Sequence, residues 1–390
     1  MKIFPRMTSL LFLLILFGFS IFFWVSPDRS FSEQENRSLQ AFPSFSFEKL
    51  LSGKLSTEVN SYFSDQFPMR NTLVGWKGFF EIAAGKGEND GILLGENGQL
   101  ARRRFEIQTA NGSILHDCDA YDHAHVQNAC EGINRAASAL QVPFSVLLTG
   151  RNIDVAASDF DYPAEISDAL LSDVQACLDP TVQTVETIPL LREKNENGET
   201  VYYRTDHHWT TLGAYYGYVE TMRVLGMEDK ILPVESFERK TVSTSFYGSL
   251  WSAGGMKWVK PDSVEFWLLG NEDAFLVTAD GKETEGLYSE KWLSKKDHYS
   301  AFLDGTHDVV TVERRDGEVR PKLLLLKDSF ANSMAPFLAQ HFDLVLLNLS
   351  STRQDFTNVS ALAEEYGADR VLLIYTLENV ITADKLSRLH

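Results

Sequence analysis

Short apolar runs alternate with amphipathic stretches along much of the chain, and this order predicts a parallel sheet. Strands are predicted at 143–150, 182–189, 322–326, 344–349 and 370–376, and helices at 120–140, 163–177, 328–340, 355–366 and 383–389. Most of the strand runs are short and largely apolar, as in strands that are buried on both faces. Because strands alternate with helices, we expect an α/β fold in which a parallel sheet is flanked by helices.

The remaining pattern predicts further local elements. Residues 46–85 have helical periodicity that is broken at Gln66-Phe67-Pro68, and residues 89–100 have the pattern of a hairpin. The stretch 201–205 predicts a strand, and Thr210 or Thr211 can cap a helix that ends at Gly226. Residues 235–320 contain several glycine turns and predict β-rich insertions over the cleft.

The N-terminus carries an uncharged apolar segment of 19 residues, Met7–Val25, preceded by Lys2 and Arg6. This length can just span a bilayer as a helix, and the basic flank predicts a cytoplasmic N-terminus. A cleaved signal peptide is the alternative, but the segment ends without a small-x-small cleavage site. We therefore expect a single-pass anchor at 1–25, a polar linker at 26–45 and an exported body at 46–390.

The charge and cysteine content limit the partners and the disulfide bonds expected for the exported residues. The 390 residues carry a net charge of −18 with a pI near 4.9, so the chain lacks the basic surface with which proteins bind nucleic acid. The three cysteines do not form a disulfide framework. Cys118 and Cys130 could pair in an oxidising compartment, or all three cysteines, including Cys177, could be free thiols.

The run Asp206-His207-His208-Trp209 concentrates chemically active side chains on a turn that leads into a helix. Asp206 and His208 are two residues apart, so in extended backbone their side chains point the same way. The carboxylate can then orient the imidazole, and His207 would face the other side. Trp209 would support the His208 ring, line the cleft or lie in the core.

A serine completes this set. Ser329 follows an apolar strand and precedes a helix, which places it at the carboxyl end of a parallel strand, where α/β sheets bind ligands. Ser329 could be only a helix N-cap. Together with Asp206 and His208, it forms the parts of a nucleophilic hydroxyl catalyst.

A metal site is the chemical alternative. Asp206, His207 and His208 are ligand types, and so are several residues in the stretch 116–125. Neither group has the H-x-x-x-H or C-x-x-C spacing that makes a zinc assignment specific. We therefore expect no metal and no cofactor, and we expect residues 116–125 to be a solvated loop.

Several segments together resemble the DHHW family, relatives of the alginate O-acetylation proteins within the SGNH-hydrolase-like superfamily. They are ENRSLQAFP (35–43), YFSDQFPMR (62–70), GILLGENGQL (91–100), YYRTDHHWT (202–210), FYGSLWS (246–252) and LLLKDSF (324–330). The resemblance implies an SGNH-like fold and a site in which Ser329 is the nucleophile, His208 the base and Asp206 its orienting group. The order is permuted, because ordinary SGNH esterases carry the serine first.

The chain departs from the family pattern at two places. Lys327 stands where the superfamily prefers glycine, so the serine turn could be less tight, and residues 149–152 lack a proline. Asn379 is a candidate oxyanion donor, whereas Arg204, Trp209 and Tyr247 are candidate substrate contacts. Glu378 could instead brace Arg151 or Arg204.

The resemblance also implies a function. It implies an extracytoplasmic O-acetyltransferase that acts on an exported or cell-surface polysaccharide through an acetyl-serine intermediate. A membrane-bound O-acyltransferase would supply the acetyl group. The acidic chain favours neutral or amino sugars over uronates. A polysaccharide O-acetylesterase with the same residues and a non-catalytic polysaccharide-binding subunit are the alternatives.

Overall fold

The structure, a computed structural model, describes residues 3–32, 34, 37–109, 112–116, 121–160, 167–351, 353–381 and 385–390. These residues fall into two units, one formed by Met1–Asn89 with Ser252–Lys257 and the other by Asp90–Trp251 with Trp258–His390. The elements of the first unit are α1 (Ile3–Val25), β1 (Phe31–Ser32), β2 (Arg37–Ser38), α2 (Phe47–Leu51), α3 (Lys54–Gln66), α4 (Arg70–Ala83) and β3 (Glu88–Asn89).

Helix α1 is the one described helix that is long and apolar enough to cross a membrane, over Met7–Val25. Its composition fits a membrane anchor or a signal sequence. The stretch predicted as a linker contains β1 and β2, which pair with each other. Arg37 binds both carboxylate oxygens of Asp65 on α3, at 2.6 and 3.1 Å. Residues 26–45 therefore bond to the helices of their own unit.

The second unit contains most of the remaining elements. They are β4 (Ile92–Leu94), β5 (Leu100–Arg102), β6 (Phe105–Thr109), β7 (Gly112–His116), α5 (His123–Ala139), β8 (Phe144–Thr149), α6 (Asn152–Val155), α7 (Asp168–Cys177), β9 (Gln183–Val185), α8 (Ile188–Glu196), α9 (Thr211–Val224), β10 (Glu238–Phe246), β11 (Asp262–Leu268), β12 (Phe275–Ala279), β13 (Lys282–Glu283), β14 (Val309–Arg314), β15 (Lys322–Lys327), α11 (Ala331–Leu338), β16 (Asp343–Asn348), α12 (Val359–Tyr366) and β17 (Arg370–Thr376). Helix α10 (Ser249–Gly254) begins in this unit, and its last three residues are assigned to the first unit.

An eight-stranded sheet organises this unit, in the order β13-β12-β14-β16-β15-β17-β8-β9. The strands from β16 to β9 are parallel, whereas β14, β12 and β13 add an antiparallel edge. The predicted α/β class is confirmed. Residues 235–320 are β-rich as predicted, but β12 to β14 extend the sheet, and only β10 and β11 form a separate ribbon.

Side-chain alternation along β15 produces the two halves of the core. Leu323 and Leu325 face the side of the sheet where α9 and α11 pack, while Leu324 and Leu326 face the side of α5 and α12. All four leucines are fully buried. This two-sided burial is the reason why the strand is a continuous apolar run rather than an alternating one.

Three local predictions were wrong. Residues 201–205 form no strand, because the chain turns back and only Tyr202 and Trp209 make an isolated bridge. The helix predicted at 383–389 is a 3₁₀ turn at Leu386–Arg388, with residues 382–384 outside the described part. Cys130 on α5 forms a disulfide with Cys177 on α7, so neither predicted cysteine state is correct.

Candidate active site

A cavity of about 360 Å³ lies at the carboxyl ends of the parallel strands. Ser329 follows β15, Asn348 ends β16, Asn379 follows β17 and Asn152 follows β8, and all four line it. In parallel sheets these strand ends share one edge, which is why residues distant in sequence meet here.

Ser329, His208 and Asp206 form an unbroken chain of hydrogen bonds at this cavity. His208 Nε2 lies 2.7 Å from Ser329 Oγ, and His208 Nδ1 lies 2.6 Å from Asp206 Oδ1. An ionised carboxylate can only accept, so Nδ1–H donates to Asp206 and the Ser329 hydroxyl donates to Nε2. The structure thus brings together the three side chains that the sequence pairs, although Ser329 and His208 are 121 residues apart.

The loop that carries Asp206 and His208 is a tight turn rather than extended backbone. The Tyr203 N–H donates to the His208 carbonyl, and the His208 N–H donates to Asp206 Oδ1 at 3.1 Å. The two side chains therefore meet because the carboxylate folds back over its own turn. The predicted pairing is present, but strand alternation is not its cause.

The other oxygen of Asp206 is held by the start of α10. The Ser249 N–H donates to Asp206 Oδ2 at 2.8 Å. Burial alone would raise the pKa of Asp206, but His207, His208 and the Ser249 N–H together hold it well below its ordinary value. A side chain at Gly248 would meet Asp206, because a Cβ there would lie 2.3 Å from the Asp206 Cβ. Glycine is therefore required at this approach.

Tyr299 supports the His208 ring from one face. The two rings stack with centroids 3.7 Å apart and an interplanar angle of 8°. The Tyr299 hydroxyl donates to the Ser329 carbonyl at 3.0 Å. One buried side chain therefore contacts both the base and the serine backbone. Tyr299 was not predicted from the sequence, and it lies in the short 3₁₀ helix His298–Ala301 between β13 and β14.

Asp328 fixes the turn that presents Ser329. Its Oδ1 accepts from the Phe330 N–H at 3.1 Å, and its Oδ2 accepts from the Thr376 N–H at 2.6 Å at the end of β17. Ser329 is not the N-cap of α11, since its hydroxyl bonds to His208. Lys327 does not adopt a positive φ, so glycine is not required there.

His207 and Trp209 occupy different surroundings. His207 is half exposed and lines the cavity, with Nδ1 2.7 Å from Ser249 Oγ, so the expectation that it faces away was wrong. Trp209 is fully buried, and its Nε1–H donates to the Phe330 carbonyl and to Ser333 Oγ. Of the roles considered for Trp209, the structure shows the one in the core.

Of the remaining predicted oxyanion and substrate residues, one lines the cavity and two do not. Asn379 lines the cavity, and its amide donates to Thr376 Oγ1 at 2.6 Å. Of the residues that the structure describes, Arg204 and Tyr247 do not line it. Arg204 borders a separate pocket beside Asp262, and the Tyr247 ring packs on Trp251.

An arginine and a glutamate, Arg151 and Glu378, also line the cavity. Arg151 pairs with Asp154 at 3.1 Å, and Glu378 lies 3.8 Å from Arg151. The predicted brace between Glu378 and Arg151 is present as this longer contact. Both side chains lie on the cavity wall beside the strand ends.

Ligand atoms of Asp206, His207 and His208 lie within 4.8 Å of one another and could hold a metal ion. Both ring nitrogens of His208 already face hydrogen-bond partners, so a metal there would compete with Asp206 and Ser329. The stretch 116–125 falls partly outside the described residues.

The family model described as DHHW protein matches residues 178–348. This region is similar to the DHHW family. The predicted resemblance is confirmed, and the DHHW region includes all three residues of the hydrogen-bonded chain. Comparison with curated proteins gives no match.

Two solved structures share the fold of this chain, and a third is more distantly similar. A DHHW family protein from Eubacterium siraeum is 17% identical with a TM-score of 0.58, covering 77% of this chain and 96% of that one. Bacillus cereus PatB1 with a sulfonyl adduct is 18% identical with a TM-score of 0.59, covering 76% and 97%. The O-acetyltransferase domain of Pseudomonas putida AlgJ is 12% identical with a TM-score of 0.46, covering 77% and 95%. The first two matches establish the shared fold.

Proposed function

We propose that this protein is a serine-dependent O-acetyltransferase that modifies an exported or cell-surface polysaccharide. The observation that carries the proposal is the unbroken chain from Asp206 through His208 to Ser329, at 2.6 and 2.7 Å. It opens on a cavity large enough for a sugar unit and an acyl group. The resemblance of the sequence to the DHHW family suggests this reaction class, and PatB1, which has a similar fold, was solved with a sulfonyl adduct.

In the proposed reaction, Ser329 Oγ attacks the carbonyl carbon of an acetyl ester while His208 Nε2 takes the hydroxyl proton. Asp206 stabilises the imidazolium and holds its tautomer. The protonated base then gives its proton to the leaving alcohol, and an acetyl-serine remains. A sugar hydroxyl next attacks this ester, and its proton passes through His208 back to Ser329.

The tetrahedral intermediate must be stabilised while its oxygen carries negative charge. The Ser329 N–H stands at the start of the turn into α11, and Asn379 lines the same cavity. These groups are the proposed donors. A membrane-bound O-acyltransferase is the proposed source of the acetyl group, and the chain would act outside the membrane that α1 enters.

Sulfonylation tests the nucleophile directly. We expect phenylmethylsulfonyl fluoride to place one sulfonyl group on Ser329 of the full chain in detergent, as found by peptide mass spectrometry. His208→Ala should abolish the adduct, because no base then removes the proton. Ser360→Ala is the matched control, since this partly buried serine on α12 does not line the cavity and its hydroxyl donates to Asn358 Oδ1. A folded wild-type chain without an adduct on Ser329 would contradict the proposal.

Product analysis separates the alternatives. The chain is incubated with an acetyl donor and neutral oligosaccharides, and both acetylated sugar and free acetate are measured. Acetylated sugar supports transfer, whereas acetate alone identifies an acetylesterase with the same residues. Binding of sugar without either product would identify a non-catalytic polysaccharide-binding subunit.

A further inference from the structure

The first unit exposes far more large apolar side chains than the second. Twelve such residues between positions 31 and 80 are more than a third exposed, and nine of them are aromatic. Among the described residues of the second unit, Trp258 and Val319 alone reach this exposure. Single exposed apolar residues are ordinary, but a concentration of this kind marks a binding surface.

Two helices of the first unit carry these side chains as outward stripes. On α4, Trp76 is 56% and Phe80 is 66% exposed, one helical turn apart. On α2, Phe47 and Leu51 have the same spacing and are 74% and 87% exposed. In a soluble domain a stripe with this spacing faces the core, whereas these stripes face outward.

Helix α1 connects this surface to the membrane. Phe19 of α1 stacks on Phe67 with ring centroids 5.5 Å apart, and Phe23 stacks on Phe63 at 5.2 Å. Phe19 lies six residues before Val25, the last residue of the apolar span, which is about 9 Å along a helix at about 1.5 Å per residue. If α1 spans the bilayer, the Phe67 ring must therefore lie below the membrane surface.

The charge of the first unit is compatible with contact to a membrane surface. Lys2 and Arg6 precede the apolar span, and the rest of the unit has eight Lys or Arg and eight Asp or Glu, a net charge of zero, whereas the second unit carries −20. Anionic lipid headgroups repel a strongly acidic surface but not one without net charge. Exposed aromatic side chains are also the residues that membrane interfaces favour.

We propose that the first unit lies in the bilayer interface, with the exposed faces of α2 and α4 and the Phe63–Phe67 end of α3 inserted among the headgroups. This surface goes beyond the proposed enzyme activity and does not depend on it. In this arrangement residues 26–83 lie at the membrane surface and do not act as a free linker.

Photo-crosslinking of the full chain tests this placement. Benzoylphenylalanine replaces Phe80 or Trp76, and the protein is reconstituted into vesicles of phosphatidylethanolamine and phosphatidylglycerol. Val319 is the matched control, because it is fully exposed and apolar but lies in the second unit. We expect about tenfold more lipid adduct at Phe80 than at Val319, the ratio that burial of one aromatic ring supports. Intact mass must show that α1 is retained.

A second measurement uses almost unmodified protein. The difference in fluorescence between wild type and Trp76→Phe is the emission of Trp76. We expect this emission to be quenched in vesicles of brominated lipid. The same difference for Trp258→Phe should not change. Equal lipid adducts at Phe80 and Val319, together with unquenched Trp76, would overturn the proposal. Adducts at Phe80 only to another protein in native membranes would also overturn it, since a protein partner would then cover this surface.

Discussion

Lys327→Met should change the stability of the fold by an amount that depends on pH. Lys327 ends β15, directly before Asp328 and Ser329, and its side chain is fully buried. Its Nζ donates to Asn332 Oδ1 at 2.8 Å. Burial lowers the pKa of Lys327 from 10.5 to about 8, while the charges of Asp328 and Asp280 oppose this shift.

The magnitude follows from proton linkage. Between about pH 8 and 10.5 the unfolded chain keeps a proton on Lys327 that the folded chain has lost, so the free energy of unfolding rises with pH. The shift corresponds to about 3 kcal/mol across this window. Below it, both states are protonated and the folded state carries the full cost of the buried ammonium.

Methionine has a similar length and no charge, so it removes this cost. It also leaves the buried Asn332 oxygen without its Lys327 donor, which costs about 1–3 kcal/mol. Near pH 7 the variant should therefore be as stable as wild type or up to about 2 kcal/mol more stable. Near pH 10.5, where wild-type Lys327 is neutral, the variant should be about 1–3 kcal/mol less stable.

Urea unfolding followed by tryptophan fluorescence, in detergent and between pH 7 and 10.5, measures the difference between the two chains. Lys322→Met is the matched control, because Lys322 begins the same strand but is only partly buried. We expect no comparable change with pH for this control. A constant difference between wild type and Lys327→Met over the whole range would refute the assigned effect of burial.

Three further outcomes are expected. Asp206→Asn should slow sulfonylation of the serine by about 10³–10⁴-fold with an unchanged circular dichroism spectrum, because the amide stabilises the wrong tautomer of His208. Tyr299→Leu should slow sulfonylation about tenfold through loss of the stacked ring, whereas Tyr299→Phe should retain most of the rate; equal rates for both would contradict a stacking role. Cys177→Ser should lower the free energy of unfolding by about 4 kcal/mol, since the disulfide to Cys130 spans 47 residues, and non-reducing peptide mapping would show the bond directly.

The sequence predicts the sheet and the three linked side chains for a common reason. Apolar runs identify buried parallel strands, and the carboxyl ends of such strands meet at one edge. Ser329 is therefore located by its place after a strand. The cause of the Asp206–His208 contact could not be derived in this way, because a tight turn leaves the same short motif as extended backbone.

Other contributors leave little local pattern. Tyr299 stacks on His208 from the 3₁₀ helix His298–Ala301, which is too short to show a hydrophobic period. The pairing of Cys130 with Cys177 depends on how α5 packs beside α7, and spacing along the chain does not specify that arrangement. The fold was therefore accessible from periodicity, whereas the support of the site depends on tertiary contacts.

The sheet and the loops make separate contributions to the proposed nucleophile. Asp328 ties the Ser329 turn to the end of β17, so the serine is fixed wherever the parallel strands form. His208 is fixed instead by a loop whose carboxylate depends on the close approach of Gly248. Any side chain at Gly248 would displace Asp206 without touching the strands. A protein can therefore retain this sheet and lose the hydrogen-bonded chain, which is why shared fold alone does not establish the reaction.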